Sequence, residues 1–277
     1  MRTRNIITLT TIPPRFDTIQ STLRSLCAQD ADIDRVILTL PRNYQKRDFG
    51  TATLPDLPDG VEILHTDTDL GPATKILPVA KHFRDQDVRL LYCDDDRIYN
   101  RDWAARLIAH NAQNPGMCVA DAGDPVSAID LRAERDEPIY RRLNTLTLGL
   151  FGKRHRRRVR SLIPDEGLID IAKGYGGVLI RPAFLDDTAF SIPETFWAVD
   201  DVWLSGQMAR QGVPVHKVGR QPKSSPMPVG KISALLNLEL DGNGRDKLNL
   251  ACVNYFRTRY GIWGGPTAGH GAAQGNV

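Results

Sequence analysis

Along the first 120 residues, short and almost wholly apolar runs are separated by stretches whose apolar residues fall at helical spacing. Runs of the first kind suit strands buried on both faces, and the second kind suits amphipathic helices. The run 6–12 predicts a first strand, stopped by Pro13-Pro14. From 16 to 28, Ile19, Leu23, Leu26 and Cys27 share one helical face. The runs 35–40, 61–65, 88–93 and 117–120 predict four further strands. Helices are expected over 71–83 and 103–112, and Pro72 suits the first turn of the former. Strands alternating with helices imply parallel crossovers, so the fold class is α/β with a doubly wound, mostly parallel sheet.

The second half is less regular. Residues 132–164 show no clear period, which predicts a mobile insertion over about 132–165. Order returns at Ile169, followed by the glycine-rich segment Lys173-Gly174-Tyr175-Gly176-Gly177 and a strand at 178–180. A helix over 201–210 ending at Gly212, a strand at 213–218 and a late helix over 248–260 complete the pattern. The reading is one domain over 1–263 with a helical C-terminal extension, and a disordered tail over 264–277.

Composition narrows the class only a little. The chain has 277 residues, 41% hydrophobic and 25% charged, enough for a substantial core. A net charge of +3 implies no strong attraction to nucleic acid, and no stacking motif interleaves the basic residues. No apolar stretch approaches the ~20 residues of a membrane span, and the N-terminus lacks a signal peptide's apolar region. Four widely spaced cysteines, with no CxxC pair, are expected to be reduced and buried. The expected location is cytoplasmic.

The chemistry begins at Asp94-Asp95-Asp96, which end the apolar run 88–93. Ligands of open α/β sheets bind outside the carboxyl ends of strands. Adjacent carboxylates repel, and their pKa values rise unless a cation is present. Oxygen ligands suit magnesium or manganese. An acidic turn capping the next helix is the alternative.

The cluster resembles the DxD signature of nucleotide-sugar glycosyltransferases with the GT-A fold. The resemblance implies Asp96 as main metal ligand, Asp94 on the donor ribose and Asp95 beside them, with Mn²⁺ or Mg²⁺ as cofactor. Three other elements carry it, in order. The end of the first strand, Thr11-Ile12-Pro13-Pro14-Arg15, is similar to the nucleobase and diphosphate border of bacterial members. The segment Asp67-Thr68-Asp69-Leu70-Gly71-Pro72-Ala73-Thr74-Lys75 is similar to a lysine-bearing helix start near the donor, although Lys75 also reads as a solvated helix lysine. Asp200-Asp201-Val202 resembles the acidic pair that opens a helix in family 2 and β1,3-galactosyltransferase-like enzymes, which implies Asp201 as general base and Asp200 beside the donor. Capping and helix-dipole effects favour acids at that place as well.

By the same resemblance Gly176 and Gly177 would approach the donor sugar and acceptor, and His216 would be a third metal ligand. Phe196 and Trp197 read either as sugar-stacking or as core aromatics. The basic run 153–160 reads as a solvated loop, as a dock on anionic lipid, or as a mobile loop over the donor phosphates. The expected activity is metal-dependent, inverting transfer of a sugar, from a UDP-sugar in preference, to the hydroxyl of a glycan or lipid-linked glycan acceptor in surface polysaccharide synthesis. A nucleotidyltransferase and a non-catalytic sugar-binding relative remain open alternatives.

Overall fold

All five predicted strands of the first half are present in the computed structural model, whose described residues are 2–45, 49, 53–147, 149–219, 224–228 and 244–264. They are β1 (Arg4–Thr10), β2 (Arg35–Pro41), β3 (Val61–Thr66), β4 (Val88–Tyr92) and, after the two-residue β5 (Arg97–Ile98), β6 (Cys118–Ala120). The helices between them are α1 (Gln20–Cys27), α2 (Leu77–His82) and α3 (Trp103–Gln113). The predicted helix 71–83 starts as the 3-10 turn Gly71–Lys75 before becoming α2. Ile19, Leu23 and Leu26 are buried as expected, but Cys27 is exposed. It is the last residue of α1, and Thr22 takes the remaining inward place. The other three cysteines are buried and free.

The second half contributes β7 (Gly123–Asp124), α4 (Val126–Ala133), α5 (Pro138–Leu146), α6 (Leu150–Leu162), β8 (Gly167–Ile169) and β9 (Ile171–Ala172). It continues with β10 (Val178–Ile180), α7 (Asp200–Arg210), β11 (Val215–Lys217), β12 (Ser225–Pro226) and α8 (Arg245–Tyr260). The stretch 132–165 is therefore largely helical and not a loop. In α6 the inward positions Gly152, His155 and Val159 keep helical spacing, but two of them are not strongly apolar, so the stripe is hidden among cationic residues. Apart from Gly264, the tail over 264–277 lies outside the described residues.

The main sheet has eight strands in the order β3-β2-β1-β4-β10-β6-β11-β8. Strands β3, β2, β1 and β4 pair in parallel, as do β6 and β11, while β10 and β8 run against their neighbours. One sheet face packs on α2 and α7 through residues such as Leu90, Val178 and Leu204. The other packs on α1 and α3 through Leu91, Leu23 and Leu107. A third apolar cluster joins α4, α7 and α8 around Trp203 and Phe256.

This topology fixes the site. The parallel register of β1, β2 and β4 brings their carboxyl ends to one edge. Strand β10 is antiparallel, with Val178 opposite Tyr92, so the glycine-rich turn before it arrives where β4 ends.

Candidate active site

A cavity of about 450 Å³ opens at that edge, within the usual range for small-molecule sites. It is lined by Thr10, Thr11 and Arg15 after β1, by Asp94, Asp95 and Asp96 after β4, and by Asp200 and Asp201 at the start of α7. Lys75 and Trp197 line it as well. The four short sequence elements separated by up to 190 residues thus meet in one place.

The three consecutive aspartates have different surroundings. The Asp94 carboxylate accepts a hydrogen bond from Lys75 Nζ at 2.7 Å. Burial raises its pKa, but the lysine overcomes this and holds it below the usual carboxylate range. Asp95 is buried, with Arg15 Nη1 at 2.5 Å and the Thr11 hydroxyl on its other oxygen. Burial nonetheless pushes its pKa up to about 6. Asp96 makes no ion pair among the described residues, and its pKa is raised by burial first and by Asp94 next. Asp95 is thus occupied in tying β1 to β4, whereas Asp94 and Asp96 present oxygens to the cavity. That pair of hard oxygen donors, with no direct ion pair to Asp96 among the described residues, fits a divalent ion such as Mn²⁺ or Mg²⁺.

Lys75 is not a solvated lysine. It is 3% exposed, and its ammonium also lies 2.9 Å from Asp200 Oδ2. Two carboxylates hold it, so the protein itself uses the charge that a phosphate contact would need. Asp201 is buried beside this pair. Its Oδ1 accepts the Gly174 N–H at 2.9 Å, and no cation pairs with it among the described residues. Burial, then Asp200, raises its pKa above the ordinary carboxylate value.

The glycine-rich turn works differently from the expectation. A Cβ on Gly174 would lie 2.4 Å from Lys75 Nζ, so only glycine lets the backbone come close enough to hold Asp201. Gly176 and Gly177 do not line the cavity. Gly177 has φ +91° and packs under the Trp103 indole, whose Nε1 donates to Gly176 O at 2.9 Å. The lining residues of the turn are Lys173 and Tyr175. Pro13 is likewise absent from the lining, because it belongs to a 3-10 turn whose neighbours Ile12 and Arg15 face the cavity.

His216 does not join the carboxylates. It sits on β11 opposite Val119 of β6, two strands beyond β10. Three strand spacings from β4, about 14 Å, put it out of reach of an ion held by Asp94 and Asp96. Phe196 is a core residue against Trp203, whereas Trp197 lines the cavity with its indole Nε1 buried and without a hydrogen-bond partner. The basic run 153–160 contributes no lining residue.

Several lining residues escaped the sequence reading. Tyr44 and Phe49 meet edge to face at 5.1 Å beside Pro41, and the Tyr44 hydroxyl donates to Thr11 O. Arg97 stacks over the Tyr175 ring at 4.5 Å. Arg245 reaches the cavity from the start of α8. Behind the cavity wall, the buried Tyr99 accepts from Asp94 N–H at 3.1 Å and donates to Tyr175 O at 3.2 Å, which joins the end of β4 to the glycine-rich turn. Arg97 and Tyr99 directly follow the Asp94–Asp96 cluster, Arg245 has no motif nearby, and only the aromatic content of a polar stretch could have flagged Tyr44 and Phe49.

No family model and no curated protein sequence matches the chain. Solved structures similar to it include the mannosyltransferase PcManGT from Pyrobaculum calidifontis in complex with GDP-Man and Mn²⁺, at 15% identity and a TM-score of 0.45, over 79% of this chain and 55% of that one. Residues 1–349 of TarS from S. aureus are similar at 12% identity and a TM-score of 0.46, over 94% of this chain and 72% of that one. The same TarS segment in complex with UDP gives 12% identity and a TM-score of 0.46, over 92% and 72%. These likenesses concern the path of the chain, and the function rests on the residues of the cavity.

Proposed function

We propose that the protein transfers a sugar from a nucleoside-diphosphate donor, a UDP-sugar in preference, to an acceptor hydroxyl with inversion at the anomeric carbon. The observation that carries this reading is the convergence on one cavity of an oxygen donor pair, Asp94 and Asp96, with a separate buried carboxylate, Asp201. Asp94 and Asp96 would hold Mn²⁺ or Mg²⁺. When bound, the ion would act as a Lewis acid that neutralises the departing diphosphate. Asp201 keeps Oδ2 free of the Gly174 hydrogen bond, so this oxygen can accept the proton of the attacking hydroxyl. Its raised pKa brings it nearer the operating pH of a general base. One displacement, with the new bond forming opposite the breaking C–O bond, inverts the centre. Tyr44 and Phe49 offer a platform for the nucleobase, and Trp197 lines the cavity as an aromatic wall for a sugar. Lys173, Arg97 and Arg245 line the cavity and would meet the diphosphate. The whole catalytic unit is taken to span 1–263.

The acceptor side fits a lipid-linked glycan. Ile139, Leu146 and Leu150 are 70%, 71% and 64% exposed, and they continue from α5 into α6. Beside them, Lys153, Arg154, Arg156, Arg157, Arg158 and Arg160 are all exposed on α6. Apolar side chains flanked by a cationic helix face suit an anionic lipid surface. Helix α6 packs on α4, where Arg132 pairs with Asp124, the partner of the lining Lys173. Among the described residues no helix is long and apolar enough to cross a membrane, so this contact would be peripheral.

Thermal stability with UDP, GDP, CDP or dTDP, each with and without Mn²⁺, tests the reading. A ligand at 100 times its Kd adds about 2.7 kcal/mol. The expected outcome is a metal-dependent increase with UDP that disappears in Asp96→Asn. No increase with any diphosphate would sink the proposal, and pyrophosphate release from a triphosphate would replace it with nucleotidyl transfer.

A further inference from the structure

His110, His216 and Glu166 come from three separate elements. His110 lies in the last turn of α3, His216 in the middle of β11, and Glu166 just before β8. One ligand atom from each falls within 4.8 Å of the others. The imidazole Nε2 atoms of His110 and His216 lie 3.6 and 3.9 Å from Glu166 Oε1. The two rings stack at 4.5 Å with a tilt of 39°. His216 Nε2 is buried and makes no hydrogen bond. A buried, unsatisfied ring nitrogen is costly unless something fills its coordination.

The surroundings hold the cluster in place. Lys217, the next residue of β11, donates from Nζ to Pro164 O at 2.6 Å and Asp165 O at 3.1 Å, which anchors the chain entering Glu166. A Cβ on Gly219 would lie 2.6 Å from Glu166 Oε2, so the carboxylate packs closely over the glycine that follows β11. A neutral imidazole is the form that binds metal.

We propose that His110, His216 and Glu166 form a zinc site separate from the carboxylate cavity. Two imidazoles and one carboxylate are a common zinc donor set, with a fourth position left for water. Ligand bonds of about 2.0–2.2 Å require ligand atoms about 3.4 Å apart. The 58% exposed Glu166 side chain can shift toward both imidazoles, and the two imidazoles would close from within 4.8 Å by small ring rotations. None of the three residues lines the catalytic cavity. The ion would pin the end of α3 to β11 and β8, at the far side of the sheet from β3.

Zinc titration of the full chain tests this. The Asp96→Asn background is used so that the carboxylate cavity competes less. Calorimetry should show one Zn²⁺ per chain, and Co²⁺ should give the visible absorption of a tetrahedral site. Adding His216→Gln or His110→Gln should weaken binding by more than about 100-fold, beyond the loss from a typical outer-shell partner. Circular dichroism without zinc establishes that each variant is folded, and two variants on different elements guard against failure of one. Failure of the Asp96→Asn chain to take up zinc, or affinity unchanged by both substitutions, overturns the proposal. Neither result bears on sugar transfer, whose test uses nucleotides.

Discussion

Lys75 Nζ lies 2.9 Å from Asp200 Oδ2 and 2.7 Å from Asp94 Oδ1, so one buried ammonium ties the start of α7 to the end of β4. Burial alone would lower the lysine pKa, but Asp200 and Asp94 together raise it well above the usual value. Its removal strands two acids. Lys75→Met is expected to destabilise the fold by about 3–5 kcal/mol, the cost of breaking a buried ion pair. Adding Asp200→Asn should recover part of that loss, because one stranded charge is then gone. Denaturant melts of the two single variants and the double variant check this, and strict additivity would show that the pair does not interact.

Asp201→Asn should lower kcat by roughly 10²- to 10⁴-fold, the span typical of general base catalysis. Nucleotide affinity should be retained. The pH profile adds a signature. The base works only when ionised, and activity is therefore lost as pH falls through its pKa. Since that pKa is raised above 3.8, the acid limb of kcat/KM should lie above the range of an ordinary aspartate. Wild-type turnover in Asp201→Asn would remove this residue from the reaction.

Gly177→Ala should be far more harmful than Gly212→Ala. Both positions have positive φ, +91° and +72°. A Cβ at 177 would lie 2.3 Å from the Trp103 ring, whereas nothing lies within 4 Å at 212. The expected cost is about 1 kcal/mol at 212, from backbone conformation alone. At 177 it is about 3 kcal/mol or more, because overpacking adds to the strain. Equal melting temperatures for the two variants would contradict the described packing.

Sedimentation with lipid vesicles examines the α5–α6 surface. The protein should bind vesicles rich in anionic lipid, bind zwitterionic ones weakly, and dissociate as salt screens the charges. Leu146→Glu with Leu150→Glu should reduce binding by more than the charge change alone, which Lys153→Gln with Arg154→Gln, of the same net change, measures. Indifference to lipid charge would rule out the docking role.

The sheet was legible because its strands carry their burial in composition. Runs such as 88–93 are apolar apart from Arg89, as suits strands buried on both faces. The acids at 94–96 and 200–201 stood out as site candidates because adjacent carboxylates repel unless a cation neutralises them. Helix α6 was not legible, since its buried stripe consists of a glycine, a histidine and a valine within a cationic run. What each acid does was also beyond one-dimensional reading. Asp95 faces Arg15 and Asp94 faces Lys75 only because parallel β1 and β4 align their ends. The position of His216 was decided in the same way. Sequence shows a histidine in a strand, but strand order, a long-range property, places it about 14 Å from β4 and beside His110 and Glu166.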